Sequence, residues 1–113
     1  MAGISTTRGY PLTTIKHSVA NTAEALIDDV TGFVAQSGGY NVTYVKITCE
    51  TNAIRYGWNI TPTVDGGTAL GHVLAAAGTL ELSNHKEIIG FKFVNKANAS
   101  VAILHITPYV SIP

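Results

Sequence analysis

The 113 residues carry seven Lys and Arg against seven Asp and Glu, so the formal net charge is zero and only 12% of positions are charged. One domain with a self-sufficient core fits that length, and such weak mutual repulsion leads us to expect association between copies. The basic residues (Arg8, Lys16, Lys46, Arg55, Lys86, Lys92 and Lys96) are scattered singly, which argues against nucleic-acid binding, and no apolar stretch approaches the ~18 residues that span a bilayer.

Residues 1–9 are small, polar and aperiodic and predict a flexible N-terminal arm, with Ile4 its one large apolar side chain. Residues 10–113 then read as a single β-sandwich domain. Tyr10 to Ala20 is expected as the first strand, with Ile15, His17 and Val19 on one face. The tract from Asn21 admits a helix capped by Asn21 or Thr22. Thr31–Gly32 soon breaks it, and a short strand near Ala25–Ile27 with a turn at Asp28–Asp29 is favoured. Val42 to Glu50 alternates: Val45, Ile47 and Cys49 point one way, Tyr44, Lys46, Thr48 and Glu50 the other. Thr51–Asn52 makes a tight turn, and Ile54 to Ile60 alternates again, with Tyr56, Trp58 and Ile60 in phase with Ile54, so the two segments read as a hairpin.

Pro62 and Asp65-Gly66-Gly67 mark a loop. His72 to Ala75 and Thr79 to Ser83 read as short strands, and Ser83 to Lys86 as a polar turn. Ile88 to Asn95 reads as a strand with Ile89, Phe91 and Phe93 on one face. Val101 to Tyr109 closes the fold with two apolar faces, Ala102, Leu104 and Ile106 on one and Val101, Ile103 and Tyr109 on the other. Such a strand is buried on both sides or presents its outer face to another subunit. About eight short strands at near-regular spacing predict an all-β fold, a jelly-roll-like antiparallel β-sandwich.

Little in these strands looks like chemistry. Cys49, the single cysteine, falls in an apolar alternation and reads as a buried small hydrophobe. With no signal-peptide pattern, the chain reads as a soluble protein made in a reducing compartment. Asn41, Asn59 and Asn98 head glycosylation-type triplets and are accordingly read as strand and turn residues. The histidines His17, His72, His85 and His105 form no His-x-His or His-x-x-x-His pair. His17 and His105 are expected to meet across paired terminal strands as a hydrogen-bonded structural pair. Asp28–Asp29 lacks the alternating oxygen donors of a calcium loop and reads as a solvated turn. Neither a nucleophile elbow nor a phosphate loop is present. The expectation is therefore no enzyme, no cofactor and no metal. The phase of Trp58 turns it toward the core and away from sugar stacking. Tyr10, Tyr40, Tyr44 and Tyr109 lie near strand ends or on outward faces, where a tyrosine suits an interface.

Four stretches carry a resemblance: Ala53-Ile-Arg-Tyr-Gly-Trp-Asn-Ile-Thr-Pro-Thr, Gly71-His-Val-Leu-Ala-Ala-Ala-Gly-Thr-Leu-Glu-Leu-Ser, Ile88-Ile-Gly-Phe-Lys-Phe-Val-Asn-Lys and Ser100-Val-Ala-Ile-Leu-His-Ile-Thr-Pro-Tyr. Covering roughly the C-terminal half, they resemble in pattern the small structural proteins of tailed bacteriophages, above all capsid decoration, cement or stapling proteins. The resemblance implies a virion protein made in the host cytoplasm that binds the outer capsid surface. There it would clamp neighbouring major capsid protein subunits, as a homo-oligomer (dimer or trimer), with no nucleic-acid or membrane partner. A tail, baseplate or head-fibre component is the nearest alternative, and a non-catalytic glycan-binding module the next. The residues expected at the interface are Ile4 and Arg8 in the arm, Tyr10, and Tyr109 and Ile112 in the tail. An arm laid across a neighbour adds contact area, and repetition over a shell adds avidity.

Overall fold

In the longest strand Val45, Ile47 and Cys49 have no exposed surface, while Lys46 and Glu50 stand in solvent. This period-two burial builds the molecule. The computed structural model describes residues 10–30, 32–33, 42–66, 69–97 and 100–110. Among them are the strands β1 (Tyr10–Pro11), β2 (Ile15–Ser18), β3 (Glu24–Ala25), β4 (Val42–Thr51), β5 (Ile54–Trp58), β6 (His72–Leu74), β7 (Thr79–Leu82), β8 (Phe91–Asn95) and β9 (Ile103–Val110). The short helices α1 (Leu26–Asp29) and α2 (His85–Gly90) interrupt them, and Gly32–Phe33 are helical as well.

All strand pairs are antiparallel and fall into two sheets. In the first, β1 and β2 lie end to end along β9, followed by β4 and β7; in the second the order is β3, β8, β5, β6. The pairings nest. β1 and β2 pair with β9, β3 with β8, β4 with β7 and β5 with β6, as if one long hairpin had been rolled so that its arms run through both sheets. The sheets enclose Ile47, Leu82, Leu104 and Ile106 from one side and Ile54, Phe91 and Phe93 from the other, all fully buried. Each such side chain contributes about 1.5–3 kcal/mol by leaving water. This is an antiparallel β-sandwich, as the sequence predicts.

Several boundaries differ from those expected. Pro11 has no N–H to donate, and the first strand is split into β1 and β2 rather than running unbroken to Ala20. Leu12 keeps the edge attached by donating its N–H to the Pro108 carbonyl at 2.8 Å. β3 stops at Ala25, and Leu26–Asp29 is a helical turn, not a strand to Ile27 with a bare turn. Asp29 closes that turn by accepting the Ala25 N–H at 2.7 Å, and neither Asn21 nor Thr22 is its cap.

The expected strand from Ile88 starts only at Phe91, because α2 occupies residues 85–90. Asn84 caps α2 by accepting the Glu87 N–H at 2.9 Å, and the Glu87 carboxylate accepts the Ser83 N–H at 2.6 Å. Ile89 therefore stands exposed on a helix instead of sharing a face with Phe91 and Phe93. β5 ends at Trp58, since Asn59 takes a positive φ of 59° and Ile60 folds back over Gly57. A Cβ on Gly57 would sit 2.5 Å from Ile60 Cδ1, so a side chain there would require the Ile60 side chain to move.

One buried polar residue ties the crossings together. Asn95, 1% exposed, donates to the Val19 carbonyl and to Asn21 Oδ1, both at 2.8 Å, and accepts the Ala102 N–H at 2.8 Å. Its own N–H donates to Ala20. The end of β8 is thereby stitched to the β2–β3 and β8–β9 connections.

Candidate functional site

The register of the first sheet sets where contact groups gather. Val110 at the end of β9 pairs with Tyr10 on one side and Val42 on the other. Pro11 and Tyr44 likewise flank Tyr109. The chain before Tyr10, before Val42 and after Val110 therefore attaches at one end of one sheet. Tyr10 is 52% exposed there. Tyr109 is half-buried, its ring set edge-on against Tyr44 at 5.1 Å between centroids. Of the five residues expected at an interface, Tyr10 and Tyr109 are thus brought onto neighbouring strands at this end. Ile4, Arg8 and Ile112 lie outside the described residues, as does Tyr40. Tyr44, expected as an outward anchor, is instead 5% exposed, covered by the Tyr109 ring.

β9 lies inside its sheet, flanked by β1 and β2 on one edge and β4 on the other. Its inward residues Leu104, Ile106 and Val110 are fully buried, while Ile103, His105, Thr107 and Tyr109 on the outer face are half-buried. The described residues thus leave its outer face half-open, which is not burial on both sides. Around them that outer face is polar: Thr14 and Thr107 hydroxyls meet at 2.6 Å, and His105 Nε2 pairs with Glu50.

His17 and His105 do not meet. The β2–β9 register sets Lys16 opposite His105 and His17 opposite Leu104, and successive residues on a strand face opposite sides. His17 turns inward, edge-on to Phe93, with Nε2 3.0 Å from Glu24. Each imidazole thus has its own carboxylate, on a different side of the sheet.

The second sheet carries its main charge cluster at the far side of the β4–β5 turn. Asp65 Oδ1 accepts from Arg55 Nε at 3.1 Å and also from Nη2; Oδ2 accepts from Lys96 Nζ at 2.7 Å. Lys96 foremost, then Arg55, holds the Asp65 carboxyl below its ordinary range. Arg55 also donates to the Gly71 carbonyl at 3.2 Å, tying β5 to the residue just before β6. Gly71, at φ 121°, lies 3.1 Å by its would-be Cβ from the Tyr56 carbonyl, which is why a glycine serves there.

Three sites weighed for chemistry take the following positions. Cys49 is fully buried, its thiol donating to the Asn52 carbonyl at 3.2 Å, and burial raises its pKa. Such a thiol is a poor nucleophile. Trp58 is half-buried against Phe91 and Tyr56, its indole N–H donating to the Glu87 carbonyl at 2.9 Å. Asp28 and Asp29 are exposed on α1. Among the described residues no group of three or more His, Cys, Asp or Glu side chains is placed to hold a metal ion. An open groove of about 390 Å3 between Asn59, Ile60, Thr61, Gly90 and Lys92 offers one cation and a hydroxyl.

The sequence reading missed the exposed apolar residues Leu70, Val73 and Ile89, whereas Val101, which it placed on an outer face, is 49% exposed. For Leu70 and Val73 the signal was the absence of any charge between Asp65 and Glu81. Ile89 was hidden by the unforeseen helix. Comparison with protein-family models, with curated proteins and with solved structures gives no match for the chain.

Proposed function

We propose that this chain is a non-catalytic virion structural protein, a jelly-roll decoration protein that binds the outer capsid surface and clamps neighbouring major capsid subunits as a homo-oligomer. The observation that carries the reading is the convergence at one end of the first sheet. Tyr10 and Tyr109 lie on the neighbouring strands β1 and β9 there, on opposite faces of the sheet, and residues 1–9 and 111–113 attach beside them. A contact made around this sheet end recruits the arm, the tail and the exposed Tyr10 to one neighbour. The nested hairpin pairing supports the jelly-roll reading. The low charge supports close packing against other subunits. The resemblance to phage decoration proteins supplies the partner.

The test is a deletion of residues 1–9. The truncated protein should keep its β-type circular dichroism and its unfolding midpoint, yet bind expanded shells at least tenfold more weakly in a co-sedimentation assay. Full-length protein should appear in cryo-electron microscopy of particles as density joining capsid subunits. Undiminished binding by the truncated chain, or density confined to the tail, defeats the proposal.

A further inference from the structure

Many polar side chains of this molecule are held by another part of the chain. Asp65 holds Arg55 and Lys96, Glu50 holds His105, and Glu24 holds His17. Asn52, Asn84 and Asn95 bond backbone groups. Three exposed side chains without such a partner lie together. The Lys92 ammonium, the Asn59 amide and the Thr61 hydroxyl make no hydrogen bond or ion pair with any described residue, and all three line the groove of about 390 Å3 on the second sheet. No carboxylate lines it.

Local backbone builds this groove. Lys92 projects from the outer face of β8, between the inward Phe91 and Phe93, and its cross-strand neighbours are the small Ala25 and Gly57. Gly57 leaves space for Ile60 to fold back, and Asn59 makes the reversal at φ 59°, so that Ile60 and Thr61 form a wall. Gly90 ends α2 without a side chain and keeps the groove open. Lys86, likewise without a partner among the described residues, stands four residues before Gly90 and adds a second positive charge to that side of α2.

We infer that this groove is a binding site for an acidic sugar. Its side chains match the parts of such a ligand. Lys92 attracts a carboxylate and donates to it. Asn59 and Thr61 each donate and accept, which suits neighbouring hydroxyls. Ile60 offers an apolar wall to the C–H face of a ring. A neutral sugar leaves the ammonium without an anion, and a bare carboxylate leaves the amide and the hydroxyl unused. The volume lies within the range of small-ligand sites, about 300–1,000 Å3, and its open side leaves room for the rest of a glycan. The site is on the second sheet, whereas the capsid contact is placed at one end of the first, so this inference does not rest on the shell-binding role.

The isolated full chain carries its own reporter. Trp58 is the single tryptophan, and its Cδ1 lies 3.5 Å from where a Cβ on Gly90 would stand. Glucuronate should shift the Trp58 emission with a dissociation constant of about 1 mM, which one charge-assisted and two neutral hydrogen bonds support. Amide resonances of residues 59–61, 90 and 92 should move with it. Glucose and acetate should each bind at least tenfold more weakly. Lys92→Gln should weaken glucuronate binding at least tenfold, Lys92→Arg should keep it, and Thr61→Val should weaken it severalfold. Lys46→Gln, the same loss of charge on the other sheet, should bind like the parent. Circular dichroism of each variant checks that it is folded. No response of the parent at about 10 mM glucuronate, equal binding of acetate or glucose, resonance shifts confined to other residues, or a folded Lys92→Gln that binds unchanged overturns the inference.

Discussion

Asn95 is the side chain on which the most backbone depends. Its amide replaces water for two buried or half-buried acceptors and one buried donor, in a place where an unmade hydrogen bond costs about 1–3 kcal/mol. Asn95→Ala is expected to lower the unfolding free energy by about 3 kcal/mol, read from urea denaturation curves with an unchanged slope. A loss below about 1 kcal/mol would mean that the crossings hold without it. Nothing in the sequence marks this role. Asn95 reads there only as the last residue of a strand, because its three partners lie at Val19, Asn21 and Ala102, and long-range partners leave no local pattern. Cys49 was legible for the opposite reason: its burial follows from alternation inside β4, a purely local property. The separation of His17 from His105 is intermediate. Pairing of the terminal strands was legible, but strand register decides which faces the two rings take.

At the scale of single elements, α2 shows a cap overriding strand propensity. The β-branched pair Ile88–Ile89 next to Phe91-Lys-Phe-Val invites one strand through the whole tract. The Asn84–Glu87 exchange forms a helical turn first, and the strand is left to begin at Phe91. The signal was present as an Asn followed three residues later by a Glu, but the helix is shorter than a reliable periodic window. Asn84→Ala should cost about 1 kcal/mol of stability, and Asn84→Asp close to nothing. Trp58 offers a local reading, since its indole donates to the Glu87 carbonyl. Its emission should change in the Ala variant and not in the Asp variant. Equal stability of parent and Asn84→Ala would show that packing of Ile88, not the cap, maintains α2. β4 and β5 were legible as strands, being long enough to alternate, but they do not form the hairpin expected of them: the turn at Asn52, whose positive φ of 59° an asparagine tolerates, carries the chain from the first sheet to the second, where β5 pairs with β6 and β8 while β4 pairs with β7 and β9.

For the whole molecule, the two-layer architecture follows from about eight alternating segments, whereas the nested strand order depends on pairings too distant for any local signal. Charge pairs link parts that are equally distant. Asp65 joins β5 to the end of β8 through Arg55 and Lys96. Glu50 joins β4 to β9, its pKa lowered first by the hydrogen bond from His105 and further by the charges of His105 and Lys16. Both carboxyls have folded pKa values below their unfolded ones. Their contribution is thus present above the unfolded carboxylate range, ~4, and is lost as pH falls through the folded values. The urea midpoint should hold from neutral pH down to about pH 5 and decline below about pH 4. Asp65→Asn should make that decline shallower, and high salt should lower the parent toward the variant, since both carboxyls are exposed and open to screening. Identical acid profiles for parent and Asp65→Asn would remove this pair from the explanation.

The position of β9 also orders events in time. β4 emerges from the ribosome some fifty residues before the strand that covers its flank, a delay of a few seconds at ordinary elongation rates. Until then the growing polypeptide carries Val45, Ile47 and Cys49 with one long backbone flank bare. β1 and β2 wait longer still for the same partner. β4 can pair with β7 once both have emerged, but β1 and β2 join β4 only through β9, so the first sheet is completed in a late step, and whatever shields a nascent chain must cover the other flank of β4 throughout that interval.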